Sequence, residues 1–547
     1  MKKIVKYVVV LAAGVMATAC SEDYLNTKPS YGLSDGDLQE DVENYAAVIN
    51  GISQLMITQQ GNYGQGYCGM STLQIRMGDM CGNDLSMEGL GGYNSCNLAL
   101  CDANNAAWSG YCWWFLYNII GNANRVIGNI DQAEGSEESA AYYKAQALTY
   151  RAYAYTYLVQ LFSKRWIDSN NGATPGVVLR LEPTTDGMGL STLAECLTQI
   201  YKDCDDAIAL FEESGRSTSE YYLPSVNMAW GVKARAALVR QDWETAATAA
   251  HNARAGYPLM SQAEFADGFC EHNDEWIYGG TGLSEENMWY YTFGAYHAYN
   301  GYFSFGSAVS TIASRELVDQ FPDSDVRKSL FFHQGLFSIP FTYSTDNTGS
   351  LMSQARANIQ TQAGLALRNQ MLNYMLSLNG PSARYEQTGY YPYYPAAYGH
   401  LKFAVFDTPG VSEQCFMRAA EMYLTEAEAL CKKASPDEAG ARALLDELNA
   451  ARDSEYAGTT ATGQALIDEI MLTRRMELWG EGHAWFDLKR TGGSISRKSY
   501  FDQAADGTIA DTFGINWAKT LGPNAAGTND WVWTIPLSET QYNDMLE

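Results

Sequence analysis

The fold class this sequence predicts is mainly α: a tetratricopeptide-like scaffold of helical hairpins with large irregular loop insertions and a few short strands. Three observations predict it. Apolar residues recur at helical spacing over several windows of ten to twenty residues. Small residues line one side of those windows, where neighbouring helices must approach. The stretches between them are rich in Gly, Asn, Pro and Tyr and keep no period.

The helical windows come in order. From Ala140 to Phe162, Tyr143, Ala147, Tyr150, Ala154 and Tyr157 follow at alternating steps of four and three. From Thr192 to Glu212, Leu193, Leu197, Ile200, Cys204, Ile208 and Phe211 do the same, with Ser191 or Thr192 suited to the N-cap. Met228 to Leu238 leads through Arg240-Gln241-Asp242 into Trp243 to Arg254, with Ala246, Ala247, Ala250 and Ala253 on one side. The same grammar recurs at Glu421–Lys433 and Glu438–Arg452. A regular solenoid would repeat every ~34 residues; here the units are unevenly spaced, so the scaffold carries insertions.

Those insertions differ from the scaffold in composition. Residues 57–110 are rich in Gly, set among Asn, Tyr and Met; residues 268–305 mix strand-like runs (Glu275–Tyr278, Met288–Tyr291) with Gly; residues 380–403 interleave Tyr and Pro, which predicts neither helix nor interior strand. Loops on a rigid scaffold are where binding residues concentrate.

Net charge is −27 and the sequence pI about 4.6, which argues against nucleic acid as a partner and against a polybasic membrane patch. With 46% apolar and 18% charged residues the chain has material for a large core. Its 37 Tyr outnumber 19 Phe, so many rings carry a polar tip and are predicted to suit exposed sites.

The N-terminus reads as a processing signal. Lys2, Lys3 and Lys6 precede an apolar run, Tyr7–Val15, too short for a bilayer core that takes about 20 helical residues. Ala17-Thr18-Ala19-Cys20 resembles a bacterial lipobox, with Ala17 where Leu is commoner. That resemblance implies removal of residues 1–19, lipidation of Cys20 and a soluble body on a lipid tether. The acidic Ser21-Glu22-Asp23 is similar to the surface-export signal of Bacteroidetes lipoproteins and implies the outer face of the outer membrane.

Further motifs are weak. Cys196 and Cys204, eight apart on one predicted helix, lie roughly 12 Å from each other, too far for a bridge. Cys96 and Cys101 are the locally plausible pair, and buried thiols are the expectation for the rest. Gly64-Gln-Gly66-Tyr-Cys-Gly69 fits a GxGxxG string, but the polar Thr58–Asn62 before it is no buried strand. The six histidines form no HExxH or HxH pair, and no cofactor is expected. A carboxylate pair for glycoside hydrolysis stays open, with nothing marking one out.

The C-terminal run Arg474-Arg-Met-Glu477-Leu-Trp-Gly480-Glu481-Gly482-His483-Ala-Trp485-Phe-Asp487-Leu-Lys-Arg490 is the most specific string. Physically it reads as a helix end broken by two glycines, with Trp485 and Phe486 entering the core and Asp487 pairing with Arg490. It also resembles the signature of the SusD/RagB family of nutrient-binding outer-membrane lipoproteins, with Ala484 where that family usually has Arg. Cys20–Pro29, Trp113–Ile127, Arg151–Phe162, Arg418–Ala429 and Trp533–Glu539 are similar to further stretches of the family.

The resemblance implies one SusD-like unit over residues 20–547, with halves of about 20–255 and 256–547. It implies a non-catalytic protein that binds oligosaccharide and caps a partner SusC-like TonB-dependent transporter. By position, it places the ligand site on Arg76–Asn94 and Tyr296–Tyr302. Tyr93, Tyr296 and Tyr299 are the expected stacking platforms, with Asp79, Asn94 and His297 as hydrogen-bonding partners; the Tyr390–Tyr398 cluster is an equal rival. Aromatic faces with polar edges suit a sugar's C–H face and hydroxyl rim. Two other classes stay open, a helical-repeat adhesin or assembly scaffold and a surface glycosidase.

Overall fold

A computed structural model of the chain describes residues 35–59, 67–87, 104–184, 186–283, 292–301, 311–339, 362–392, 395–407, 410–497, 519–521 and 531–546. Its main helices are α1 (Tyr45–Leu55), α2 (Ala107–Asn129), α3 (Glu137–Phe162), α4 (Leu193–Ser214), α5 (Val226–Arg240), α6 (Trp243–Arg254), α7 (Gln362–Ser377), α8 (Asn379–Thr388), α9 (Ala419–Lys432), α10 (Glu438–Arg452), α11 (Gly463–Glu477) and α12 (Ala484–Thr491). The predicted helical-hairpin class is what the chain adopts: α2 packs on α3, α3 on α4, α4 on α5 and α5 on α6. α6 then packs on α9, and α9 on α10 and α11, so the scaffold continues across a long insertion.

Local chemistry sets the boundaries. Thr192 and Glu195 form a capping box at the start of α4, satisfying two donors that a helix end leaves open. Gln241 takes a left-handed conformation (φ 58°) between α5 and α6, and Asp242 caps α6 by accepting Thr245 N–H. A small residue sits where α5 meets the strand Gln414–Arg418: a Cβ on Gly231 would lie 2.2 Å from Met417 Sδ.

Two sequence expectations need correction. Residues 380–388 are helical, because Pro381 falls in the first turn of α8, where a missing N–H costs nothing. Residues 69–79 are also helical, with a π-helical winding from Thr72 to Asp79. The tyrosine surplus is partly a core feature as well: Tyr45, Tyr111, Tyr150, Tyr153, Tyr155 and Tyr278 are fully buried.

Strands occur in three antiparallel pairs among the described residues: β1 (Leu85–Met87) with β3 (Thr311–Ala313), β2 (Trp276–Gly280) with β4 (Gln414–Arg418), and β5 (Ile495–Arg497) with β6 (Lys519–Leu521). β2 realises the strand predicted at Glu275–Tyr278.

The C-terminal motif is a buried clasp. Arg418, at the end of β4, reaches Glu275 at 2.7 Å, Glu477 at 2.8 Å and Glu481 at 2.7 Å, all essentially without solvent. Arg452 and Arg327 add bonds to Glu477 at 2.9 and 3.0 Å, and Lys402 bonds Glu481 at 2.6 Å. Burial alone would push Glu481 up; Arg418 and Lys402 overcome it and hold the carboxyl down at about 2. Gly480 and Gly482, at φ 81° and 92°, turn the chain after α11. Trp485 is fully buried, Phe486 nearly so, and Arg490 donates to Asp487 at 2.7 Å, as the motif predicted.

Candidate functional site: three insertions on one ribbon

The β1–β3 ribbon brings together insertions that lie far apart in sequence. Its register pairs Leu85 with Ala313, Ser86 with Ile312 and Met87 with Thr311. The segment holding Tyr93 and Asn94 therefore leaves β1 next to the point where the segment after Gly301 enters β3. On the other edge of β3, Ile312 bridges Gly399, and Ala313 donates to the Tyr398 carbonyl at 2.9 Å. The Gly-rich insertion and the two tyrosine-rich ones thus share one structural base.

That base is locked by buried polar contacts. Thr311 Oγ1 lies 3.0 Å from His297 Nδ1 and 2.9 Å from His400 Nε2, so one hydroxyl ties the middle insertion to the third. Burial holds His400 down at about 3 and lowers His297 as well, keeping both rings neutral. Asn300 adds a two-way link to Val405, accepting its N–H at 2.8 Å and donating to its carbonyl at 3.1 Å. The clasp abuts this joint, since a Cβ on Gly480 would sit 2.6 Å from His297 Nε2.

The expected ligand residues divide into two groups. His297, Tyr299 and Asp79 are buried, at 0%, 3% and 2% exposure. Tyr299 lies within the apolar cluster of Phe403, Phe269 and Cys270 and shows no ring face to solvent. His297 packs against Phe403, with centroids 4.4 Å apart, and spends Nδ1 on Thr311. Asp79 accepts the N–H groups of Gly482 and Ala484 at 2.7 and 3.3 Å, joining the π-helix to the clasp turn. In this structure His297 and Tyr299 support the loops, which corrects the ligand-facing roles expected of them, and Asp79 is buried against the clasp turn. Tyr93, Asn94, Cys20, Cys96 and Cys101 lie outside the described residues, as does the side chain of Tyr296, whose backbone belongs to the short helix Phe293–His297.

The rival cluster also divides: Tyr398 is buried with φ 60°, while Tyr390 and Tyr391 are half-buried. Eight cysteines, Cys68, Cys81, Cys112, Cys196, Cys204, Cys270, Cys415 and Cys431, are buried free thiols.

Sequence reasoning passed over one aromatic group. Tyr67 and Trp108, both half-buried and both within the Gly-rich insertion, pack with centroids 4.4 Å apart and ring planes tilted by 34°, and the Arg76 guanidinium lies 4.4 Å from the Trp108 ring. A Gln59–Cys68 bridge closes the base of residues 60–66 beside them. The signal available was position, an aromatic residue toward each end of the insertion.

The comparisons with known proteins come to bear on this geometry. The model for the SusD family matches residues 266–547, more than half of the chain, and a model described as starch-binding associating with outer membrane matches residues 34–238. The chain belongs to the SusD family. Among solved structures, a SusD-like carbohydrate-binding protein from Bacteroides vulgatus superposes with a TM-score of 0.71 at 23% identity, covering 93% of this chain and 97% of that one. A SusD superfamily protein from Bacteroides thetaiotaomicron gives 0.67 at 19% identity, covering 93% and 99%. Surface glycan-binding protein A from the same species gives 0.62 at 15% identity, covering 92% and 97%. These likenesses carry the fold. No curated protein matches the chain.

Proposed function

We propose that this protein is a glycan-binding lipoprotein of the outer cell surface that captures oligosaccharide and passes it to a SusC-like TonB-dependent transporter. The observation that carries the reading is the convergence on β3 of two tyrosine-rich insertions and the Gly-rich one, in a chain of the SusD family whose residues 34–238 match a model described as starch-binding associating with outer membrane. Tyr93 and Tyr296 are the proposed stacking platforms and Asn94 a hydrogen-bonding partner, with Tyr67 and Trp108 as further aromatic surface. Support for Tyr93 and Asn94 comes from their place six and seven residues beyond Met87. Binding rather than hydrolysis is the proposed activity.

Cys20 is the proposed lipid anchor, and Ser21-Glu22-Asp23 the reason to place the body outside the cell. Among the described residues no helix is long and apolar enough to cross a membrane. A glycan array on the chain lacking residues 1–20, followed by calorimetry on each hit, tests the binding; absence of any oligosaccharide hit rejects it. Fractionation of Cys20→Ala tests the anchor, which is wrong if the variant still pellets with membranes. Co-purification from detergent of a TonB-dependent barrel tests the partner.

A further inference from the structure

A cleft of about 420 Å3 opens at the other end of the β1–β3 ribbon, between residues 79–85, α11 and α12. This is within the range of about 300–1,000 Å3 common for small-ligand sites. Leu85, Met471, Leu478 and Trp479 give it apolar walls. The cations in its lining are already matched: Arg475 pairs with Asp84 at 2.7 Å, Arg474 with Asp487 at 2.6 Å and Lys432 with Glu428 at 2.6 Å.

Asp79 lines the same cleft and forms no ion pair; the cation acting on it, Lys402, is already bonded to Glu481 at 2.6 Å, and Glu481 opposes its effect. It is 2% exposed, and among the described residues no basic side chain lies within ion-pair distance of it; its partners are the two backbone N–H groups of Gly482 and Ala484. Other buried carboxylates of the scaffold each face an arginine: Asp203 meets Arg151, Glu421 meets Arg235, and Glu428 meets Arg490. Asp79 also ends the π-helical segment Thr72–Asp79, where the helix presents its negative carbonyl end. Burial pushes the Asp79 carboxyl up to about 7, the direction taken by an acid whose charge is poorly compensated. An inorganic divalent cation would find too few oxygen ligands, since no group of three or more metal-binding side chains occurs among the described residues.

We propose that this cleft binds a small molecule carrying a primary ammonium group, which pairs with Asp79 while an apolar body lies against Leu85, Met471, Leu478 and Trp479. The site is separate from the glycan reading and does not depend on it. The ammonium supplies the counter-charge that the fold omits, and the apolar walls strengthen the pairing by excluding water.

The test is calorimetry on the full mature chain with phenethylammonium, 2-phenylethanol and phenylacetate, three ligands of one body and different charge. The expected order is ammonium over alcohol by ~10-fold or more, with phenylacetate not bound. Asp79→Asn, which keeps an acceptor for one N–H, is expected to abolish the preference for ammonium. Met471→Arg places a competing guanidinium at the half-buried wall without touching Asp79 and is expected to abolish ammonium binding, so it decides the matter if Asp79→Asn does not fold. Equal affinity for ammonium and alcohol, no ammonium binding at millimolar concentration, or unchanged ammonium affinity in a folded variant overturns the proposal.

Discussion

Met87 and Thr311 face each other as Cα partners across an antiparallel pair, although 224 positions separate them in the sequence. That pairing decides which loops can act together. The segment beyond Met87 and the segment before Thr311 start from neighbouring points, and Gly399 brings the third insertion to the same strand. A family frame made of helices thereby gains a single place at which irregular loops can form one surface.

The joint between the loops makes the first prediction. Thr311→Val keeps the shape of the side chain but leaves His297 Nδ1 and His400 Nε2 without their shared hydroxyl. The variant is expected to lose about 1–3 kcal/mol of stability in urea unfolding, the cost of stranding buried polar groups. Thr311→Ser should keep most of it. Equal stability of the valine variant and the wild type would mean that the hydroxyl does not hold the loops.

Tyr299 separates a supporting role from a ligand-facing one. Its hydroxyl is buried and finds no hydrogen-bond partner among the described residues. Tyr299→Phe is therefore expected to be neutral or stabilising by up to about 1 kcal/mol, with unchanged oligosaccharide affinity. Tyr299→Ala should cost about 3–5 kcal/mol through the cavity it leaves. Weaker sugar binding by the phenylalanine variant at full stability would return Tyr299 to the ligand surface.

Arg418 is the hub of the clasp. Replacing it by Met leaves Glu275, Glu477 and Glu481 buried with less counter-charge, and an expected loss of about 3–5 kcal/mol follows. The loss should appear as a lower midpoint in chemical denaturation. A loss below about 1 kcal/mol would show that Arg452, Arg327 and Lys402 suffice.

Two groups of carboxylates predict opposite pH trends. Glu428 and Glu481 are held at about 2 and Glu477 lower than usual, in each case because arginine partners outweigh burial. Their folded values lie below the unfolded ones, so the stability they contribute is complete above about pH 4.5 and lost as pH falls toward 2. Asp79 lies at about 7, above its unfolded value of about 4, so its contribution is present at low pH and lost as pH rises through 7. Melting temperature should therefore fall steeply below pH 4.5 as the paired glutamates protonate, while the Asp79 contribution declines between about pH 4 and 7 and is flat above, and Asp79→Asn should remove that decline alone. Identical pH dependence of wild type and Asp79→Asn between about pH 4.5 and 7 would contradict the reading of Asp79.

How far the sequence reaches depends on the physics of each part. α4, α6 and α10 were legible because burying one face forces a 3.6-residue period on the chain, whereas α3, α5 and α9 are buried nearly all round and were legible as proline-free runs of apolar and small residues. The clasp was legible as a string, and the Asp487–Arg490 pair even as a contact, because both partners lie within one turn. The partners of Glu477 and Glu481 were not legible: Arg418, Arg327 and Lys402 come from distant segments, and pairing across such distances leaves no local trace. The same holds for β1 and β3, three residues each. The burial of Asp79, His297 and Tyr299 was missed because polar and aromatic composition reports what a side chain can do, whereas its exposure is set by the elements that close over it. The π-helix before Asp79 was missed because its winding departs from the period used to find helices.

The central claim is that rings on separate insertions share one sugar site above the β1–β3 ribbon. Its most direct test is calorimetric titration of an array-identified oligosaccharide into the wild type and into Tyr93→Ala/Tyr296→Ala. The account predicts binding weakened by about 1–3 kcal/mol in the double variant, on the scale of ring stacking against aromatic side chains, with unchanged melting temperature. Wild-type affinity in a folded double variant would contradict it.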